Sequence, residues 1–83
     1  MAPPSVLWEL SGKTGTPVTA FLHPKVGDRY RLTVRLGQEV IFSDDYVRER
    51  DALAQAEFMF DDFMREGWTE LYRRDPPLRA ESD

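Results

Sequence analysis

From Arg29 to Leu36 the chain alternates without a slip. Tyr30, Leu32, Val34 and Leu36 are apolar or aromatic, and Arg29, Arg31, Thr33 and Arg35 lie between them. A period of two sends successive side chains to opposite faces of a pleated strand, so this segment must bury one face and solvate the other. No helix satisfies that pattern. Gly37 then opens a turn, and Val40, Phe42, Asp44 and Tyr46 alternate with Ile41, Ser43, Asp45 and Val47. A two-residue loop at Gly37-Gln38 would set Leu36 opposite Glu39 and Arg35 opposite Val40, mixing polar and apolar side chains on both faces. A three-residue loop, Gly37-Gln38-Glu39, pairs Leu36 with Val40, Val34 with Phe42 and Tyr30 with Tyr46. It also sets Arg31 opposite Asp45 as a cross-strand charge pair. A one-residue slip exchanges the faces, so the second register is expected, through a loop of odd length or a bulge.

Two further strands precede this hairpin. Val6, Trp8 and Leu10 alternate with Leu7 and Glu9, and Ser11-Gly12-Lys13-Thr14-Gly15-Thr16-Pro17 supplies turn chemistry. Val18, Ala20 and Leu22 then alternate with Thr19, Phe21 and His23, before Pro24 through Asp28 turn the chain again. The second half reads as a helix. From about Glu49 to Glu66 there is no Gly or Pro, and good helix formers are frequent. At 100° per residue Ala52, Leu53, Ala56, Met59, Phe60, Phe63 and Met64 share an arc of about 140°, wide enough to cover a sheet. Gly67 and Trp68 follow as the two residues of a Schellman stop, the tryptophan folding back on the last turn. The expected fold is α+β: a four-stranded antiparallel meander (ββββα) with one long C-terminal helix packed on one face.

With 83 residues, 41% of them hydrophobic and 31% charged, the chain makes one small domain with an economical core. The domain is expected over 5–72, with an N-terminal tail at 1–4 and a disordered C-terminal tail at 73–83, where polar residues surround Pro76-Pro77. The absence of cysteine removes disulfide, zinc-ribbon, iron–sulfur and thiol chemistry. No apolar run approaches the roughly 18 residues of a membrane span, and residues 1–4 lack the basic and apolar regions of a signal peptide. A cytoplasmic, membrane-free protein is expected.

The candidate chemistry is sparse. Ser11-Gly12-Lys13-Thr14-Gly15 contains the Gly-Lys-Thr of a phosphate-binding loop, but Leu7 stands where the pattern requires its first glycine, and a strand follows instead of a helix. An ordinary hairpin loop accounts for it. His23, the only histidine, is expected at an exposed strand end without partner ligands. Asp44 and Asp45 point to opposite faces of a strand, and Asp61 and Asp62 diverge by about 100° on a helix. These residues imply no enzyme, no cofactor, no metal and no small-molecule ligand.

Charge is more informative. Residues 1–36 carry five basic and two acidic side chains, whereas residues 37–83 carry six basic and thirteen acidic ones, within a net charge of −4. A basic sheet half and an acidic helix half are therefore expected on opposite sides. On the open sheet face Arg29, Arg31 and Arg35 lie near Phe21, with Leu7, Ile41 and Val47 also pointing away from the helix. Phe58 falls in the polar face of the helix. A solvated face that blocks strand pairing needs no partner. Several apolar residues in a row instead suggest a protein contact or self-association through the sheet or Phe58, and the arginines with Phe21 suggest single-stranded nucleic acid.

The stretch Tyr30–Trp68 runs from the hairpin Arg-Leu-Gly-Gln-Glu-Val-Ile-Phe-Ser through Arg-Glu-Arg-Asp-Ala-Leu-Ala-Gln-Ala-Glu to a helix ending Glu-Gly-Trp-Thr. Over about half the chain this pattern resembles small bacterial proteins of unknown function. The resemblance implies a hairpin, a helix start and a Gly-Trp stop, and carries no activity or catalytic residue. In topology alone, four strands followed by a helix is similar to the Whirly-type and coactivator-type single-strand DNA binders, which use a basic sheet. The sequence is thus expected to encode a non-enzymatic bacterial interaction module or homodimer, the alternative being a single-stranded nucleic-acid binder.

Overall fold

The alternating segment is an interior strand of a five-stranded antiparallel sheet. A computed structural model describes residues 3–12 and 14–74. Its elements are β1 (Ser5–Ser11), β2 (Pro17–Val26), β3 (Arg29–Leu36), β4 (Glu39–Tyr46), α1 (Glu49–Arg65) and β5 (Thr69–Arg73), with strands in the order β4-β3-β2-β1-β5. The α+β class is as expected, but the expected four-strand sheet and C-terminal helix are not. The helix is mid-chain. Beyond it β5 returns antiparallel to β1 and closes that flank of the sheet. Five residues without clean alternation carry no strand signal of their own; the free edge of β1 supplies the hydrogen bonds that make Thr69–Arg73 a strand. Arg73 is its last residue, and the Arg74 N–H donates to the Leu7 carbonyl at 2.8 Å. Residues 1–2 and 75–83 of the expected tails lie outside the described residues.

The β3–β4 register combines both sequence alternatives. Tyr30 pairs with Tyr46, Arg31 with Asp45 and Val34 with Phe42, as the buried face requires. Next to the turn, however, Arg35 pairs with Val40 and Leu36 with Glu39, leaving the two-residue loop Gly37-Gln38. The expected Leu36–Val40 pair does not form. Ile41 is the additional residue of a bulge, which absorbs the one-residue offset between a tight turn and the buried register. A second departure lies in β2, which runs past Pro24 to Val26. Its irregularity between His23 and Val26 accommodates a residue that has no N–H to give the ladder.

One helix covers one face. The core joins Trp8, Leu10, Val18, Ala20, Leu22, Leu32 and Val34 of the sheet to Ala52, Ala56 and Phe60 of α1. Leu53, Met59 and Phe63 are half-buried around it, while Met64, at the rim of the apolar arc in the last turn, is 39% exposed rather than part of the core. Trp8 ties the layers together. Its indole Nε1–H donates to the Ala56 carbonyl at 3.0 Å, and its ring meets Phe60 and Phe63 edge-on at 5.8 and 6.0 Å.

The helix ends as its sequence dictates. Gly67 takes φ +100°, its N–H donates to Met64, and the Trp68 N–H donates to the Phe63 carbonyl at 3.2 Å. This is the paired bonding of a Schellman stop, with Trp68 packed edge-on against Phe63 at 5.3 Å. The Cα extents of 36 × 32 × 18 Å describe a slab two layers thick. Among the described residues no helix lies over the other face of the sheet.

Candidate interaction surface

Cross-strand pairing settles which side chains stand on the uncovered face. Glu9 pairs with Thr19, Thr19 with Arg35 and Arg35 with Val40. Tyr72 of β5 extends the same row beyond Glu9. One step along, Val6 pairs with Phe21, Phe21 with Thr33 and Thr33 with Ser43, and next to these His23 pairs with Arg31 and Arg31 with Asp45.

Of the residues expected on this surface, Leu7 is misplaced. It is 5% exposed and belongs to the core. The β1–β2 register shifts between Val6 and Trp8, so Leu7 is the unpaired residue of a bulge and Val6 takes the position facing outward. In effect the bulge exchanges two apolar neighbours and lets β1 bury both Leu7 and Trp8. Phe21 and Arg35 do come together: the guanidinium carbon lies 5.8 Å from the ring centroid, within cation–π range. Ile41 is exposed but sits in the β4 bulge, and Val40, 53% exposed, takes the place beside Arg35. Phe58 is 62% exposed on the outer side of α1, away from the sheet groups.

The arginines differ in what they hold. Arg31 Nε donates to Asp45 Oδ1 at 2.8 Å, and Arg29 stands 3.8 Å from Asp28. Arg35 forms neither contact. Its Nε is buried and has no hydrogen-bond partner among the described residues, an arrangement with a desolvation cost that an acceptor would remove. His23 is not the exposed strand-end residue expected; it is half-buried, with Nε2 3.1 Å from the Thr33 hydroxyl. Phe21, His23, Thr33, Arg35, Val40 and Ser43 are among the residues lining a shallow groove of about 300 Å³. A second hollow, about 360 Å³, lies near the start of α1 and is lined by Lys25, Tyr30, Glu49 and Arg74 among others. Among the described residues no group of three or more His, Asp or Glu is placed to hold a metal ion.

The hydrogen bond from Arg31 is the largest effect on the Asp45 carboxyl and, with lesser help from the charges of Arg31 and Arg29, holds it below its usual range against the opposing effect of desolvation, which ranks second. The same bond raises Arg31. Burial, and then Asp44, raise the Tyr46 phenol. For Asp45 the sign follows directly: a depressed folded value means that its stabilisation is present above the ordinary aspartate pKa of about 3.9 and is lost as pH falls through the folded value. A carboxyl-carbon NMR titration should therefore place Asp45 below the ordinary aspartate value, and Arg31→Gln should return it toward that value. Equal midpoints in the two proteins would show that the pair does not persist in solution.

Among the described residues no helix is long and apolar enough to cross a membrane. In comparisons with protein-family models, curated proteins and solved structures, the chain matches none.

Proposed function

We propose that this chain is a small, non-enzymatic bacterial protein-interaction module whose uncovered sheet face is its contact surface. The observation that carries the reading is the Phe21–Arg35 stack beside a groove, with an Arg35 N–H buried and unpartnered among the described residues while α1 occupies the other face. Half-buried aromatic and arginine side chains at the centre of a patch are what hot spots of protein interfaces are made of. Val40 and Tyr72, both about half exposed, flank the centre.

The charge arrangement favours protein over nucleic acid. Arg29 and Arg31 already face carboxylates, and Glu9 and Asp45 stand on the same surface. A strand of phosphates would meet those carboxylates at close range. The test is site-specific photocrosslinking in cells that express the protein, with a photoreactive phenylalanine at position 21 or 58. The expected result is a protein adduct from position 21 that Arg35→Glu abolishes. Adducts from position 58 alone, adducts insensitive to Arg35→Glu, or adducts to nucleic acid would overturn the reading.

A further inference from the structure

The row of side chains crossing the uncovered face is complementary to itself. Reading from one edge strand to the other, it is Tyr72, Glu9, Thr19, Arg35 and Val40, contributed by β5, β1, β2, β3 and β4. Thr19, on the central strand, is its midpoint. An acid stands one strand to one side and a base one strand to the other, with an exposed apolar or aromatic residue beyond each. Resting on the reading of this face as a contact surface, we infer that its partner is a second copy of the chain. The two copies are related by a two-fold axis running close to the direction of β2.

Such an axis maps the row onto itself. Glu9 of each copy faces Arg35 of the other, Tyr72 faces Val40, and Thr19 faces Thr19. In the neighbouring row, Phe21 meets Phe21. Each interface feature then occurs twice, as an isologous contact demands. The half-buried Arg35 side chain, whose guanidinium makes no ion pair among the described residues of one copy, gains the carboxylate of Glu9. That carboxylate is half-buried and already drawn toward β2, with Oε2 3.4 Å from the Thr19 hydroxyl. Face-to-face sheets pack about 10 Å apart with strands within about 30° of alignment, a separation that an opposed Glu and Arg can span.

The other two-fold axis in the plane of the sheet, perpendicular to the strands at the level of Phe21, stacks β3 on β3. It would bring Arg31 of one copy over Arg35 of the other, opposing like charges, and leave Glu9 without a cation. Area permits the first arrangement. Five strands about 4.8 Å apart and about seven residues long, at about 3.3 Å per residue, present roughly 500 Å² before side-chain relief is counted. A specific interface buries about 800 Å² per partner, the same order.

Sedimentation equilibrium on the full chain tests the pairing, with circular dichroism confirming that each variant is folded. The wild type should weigh twice the chain mass. Glu9→Arg and Arg35→Glu should each weaken association by about tenfold or more, because each places like charges at both symmetry-related contacts. Mixing the two variants should restore the dimer as a heterodimer. The arginine introduced at position 9 then faces the glutamate introduced at position 35, and the unaltered Glu9 and Arg35 face each other at the second contact. The neutral pair Glu9→Gln and Arg35→Gln provides a second series in case a charge reversal unfolds the protein; each should weaken the dimer, less than the reversal does. A monomeric wild type up to millimolar concentration would overturn the inference. So would a dimer indifferent to Glu9 and Arg35, or one dispersed by Phe58→Asp. The broader reading fails separately: a monomer that still gives an Arg35-dependent adduct from position 21 has a different protein as its partner.

Discussion

Trp8→Ala is expected to remove most of the stability of this domain. The side chain is 1% exposed, packs edge-on against Phe60 and Phe63, and donates its indole N–H to the Ala56 carbonyl. Among the described residues it is the one through which β1 both packs on and hydrogen-bonds to α1. Truncating a buried tryptophan to alanine costs about 3–5 kcal/mol, through lost transfer free energy and the cavity left behind. Whole domains are stable by only about 5–15 kcal/mol, and a chain this small lies toward the lower end. At about 4–8 °C per kcal/mol for this size, the melting temperature should fall by roughly 15–30 °C. Thermal unfolding followed by far-ultraviolet circular dichroism measures it directly. Trp8→Phe retains an aromatic ring but loses the hydrogen bond and part of the volume, and should cost about 1–3 kcal/mol. If Trp8→Ala melted within a few degrees of the wild type, the sheet–helix contact described above would be wrong.

The second large effect is at Gly12. A methyl group added there would lie 2.7 Å from one Trp68 ring carbon and 2.8 Å from another. Trp68 has little room to retreat, since it is half-buried against Phe63 and fixed by the Schellman stop. Gly12→Ala should therefore cost about 1–3 kcal/mol as an overpacking change, although Gly12 sits in a connecting loop where such a substitution is ordinarily mild. Urea unfolding of Gly12→Ala, Trp68→Leu and the double variant separates the contributions. In the Trp68→Leu background the alanine should cost at least about 1 kcal/mol less than in the wild type. Additive costs would exclude the steric explanation. The expectation also assigns the Gly-Lys-Thr stretch a packing role: its first glycine is the surface on which the tryptophan after the helix rests.

How far the fold was legible depended on whether a pattern was local. The alternation in β3, the Glu49–Arg65 helix and its Gly67-Trp68 stop are each decided within one or two turns or strands, and each stands where the residues place it. The Arg31–Asp45 pair was readable because the buried face of β3 admits only one long-range register. The surface was less legible. Alternation assigns a side to every residue only while no residue is inserted, and the bulges at Leu7 and Ile41 break that count. Glu9 and Arg35 could be placed on one face from parity alone, but their symmetry about β2 could not. That symmetry requires the registers that set Glu9 and Arg35 both opposite Thr19, and β5 to complete the row with Tyr72.

By itself, then, the sequence determined the class of the fold, the helix and its terminus, the core of the hairpin and the uneven division of charge between residues 1–36 and 37–83. All of these follow from short-range periodicity, backbone preference and composition. Only the tertiary structure decided that Thr69–Arg73 is a strand, that Leu7 is core and Val6 surface, and that Arg35 has no carboxylate partner among the described residues. The physical reason is the same in each case. A free sheet edge, a bulge and a cross-strand partner are supplied by residues distant in the chain, and a segment with weak preference of its own takes the conformation that satisfies its neighbours' hydrogen bonds and buried area.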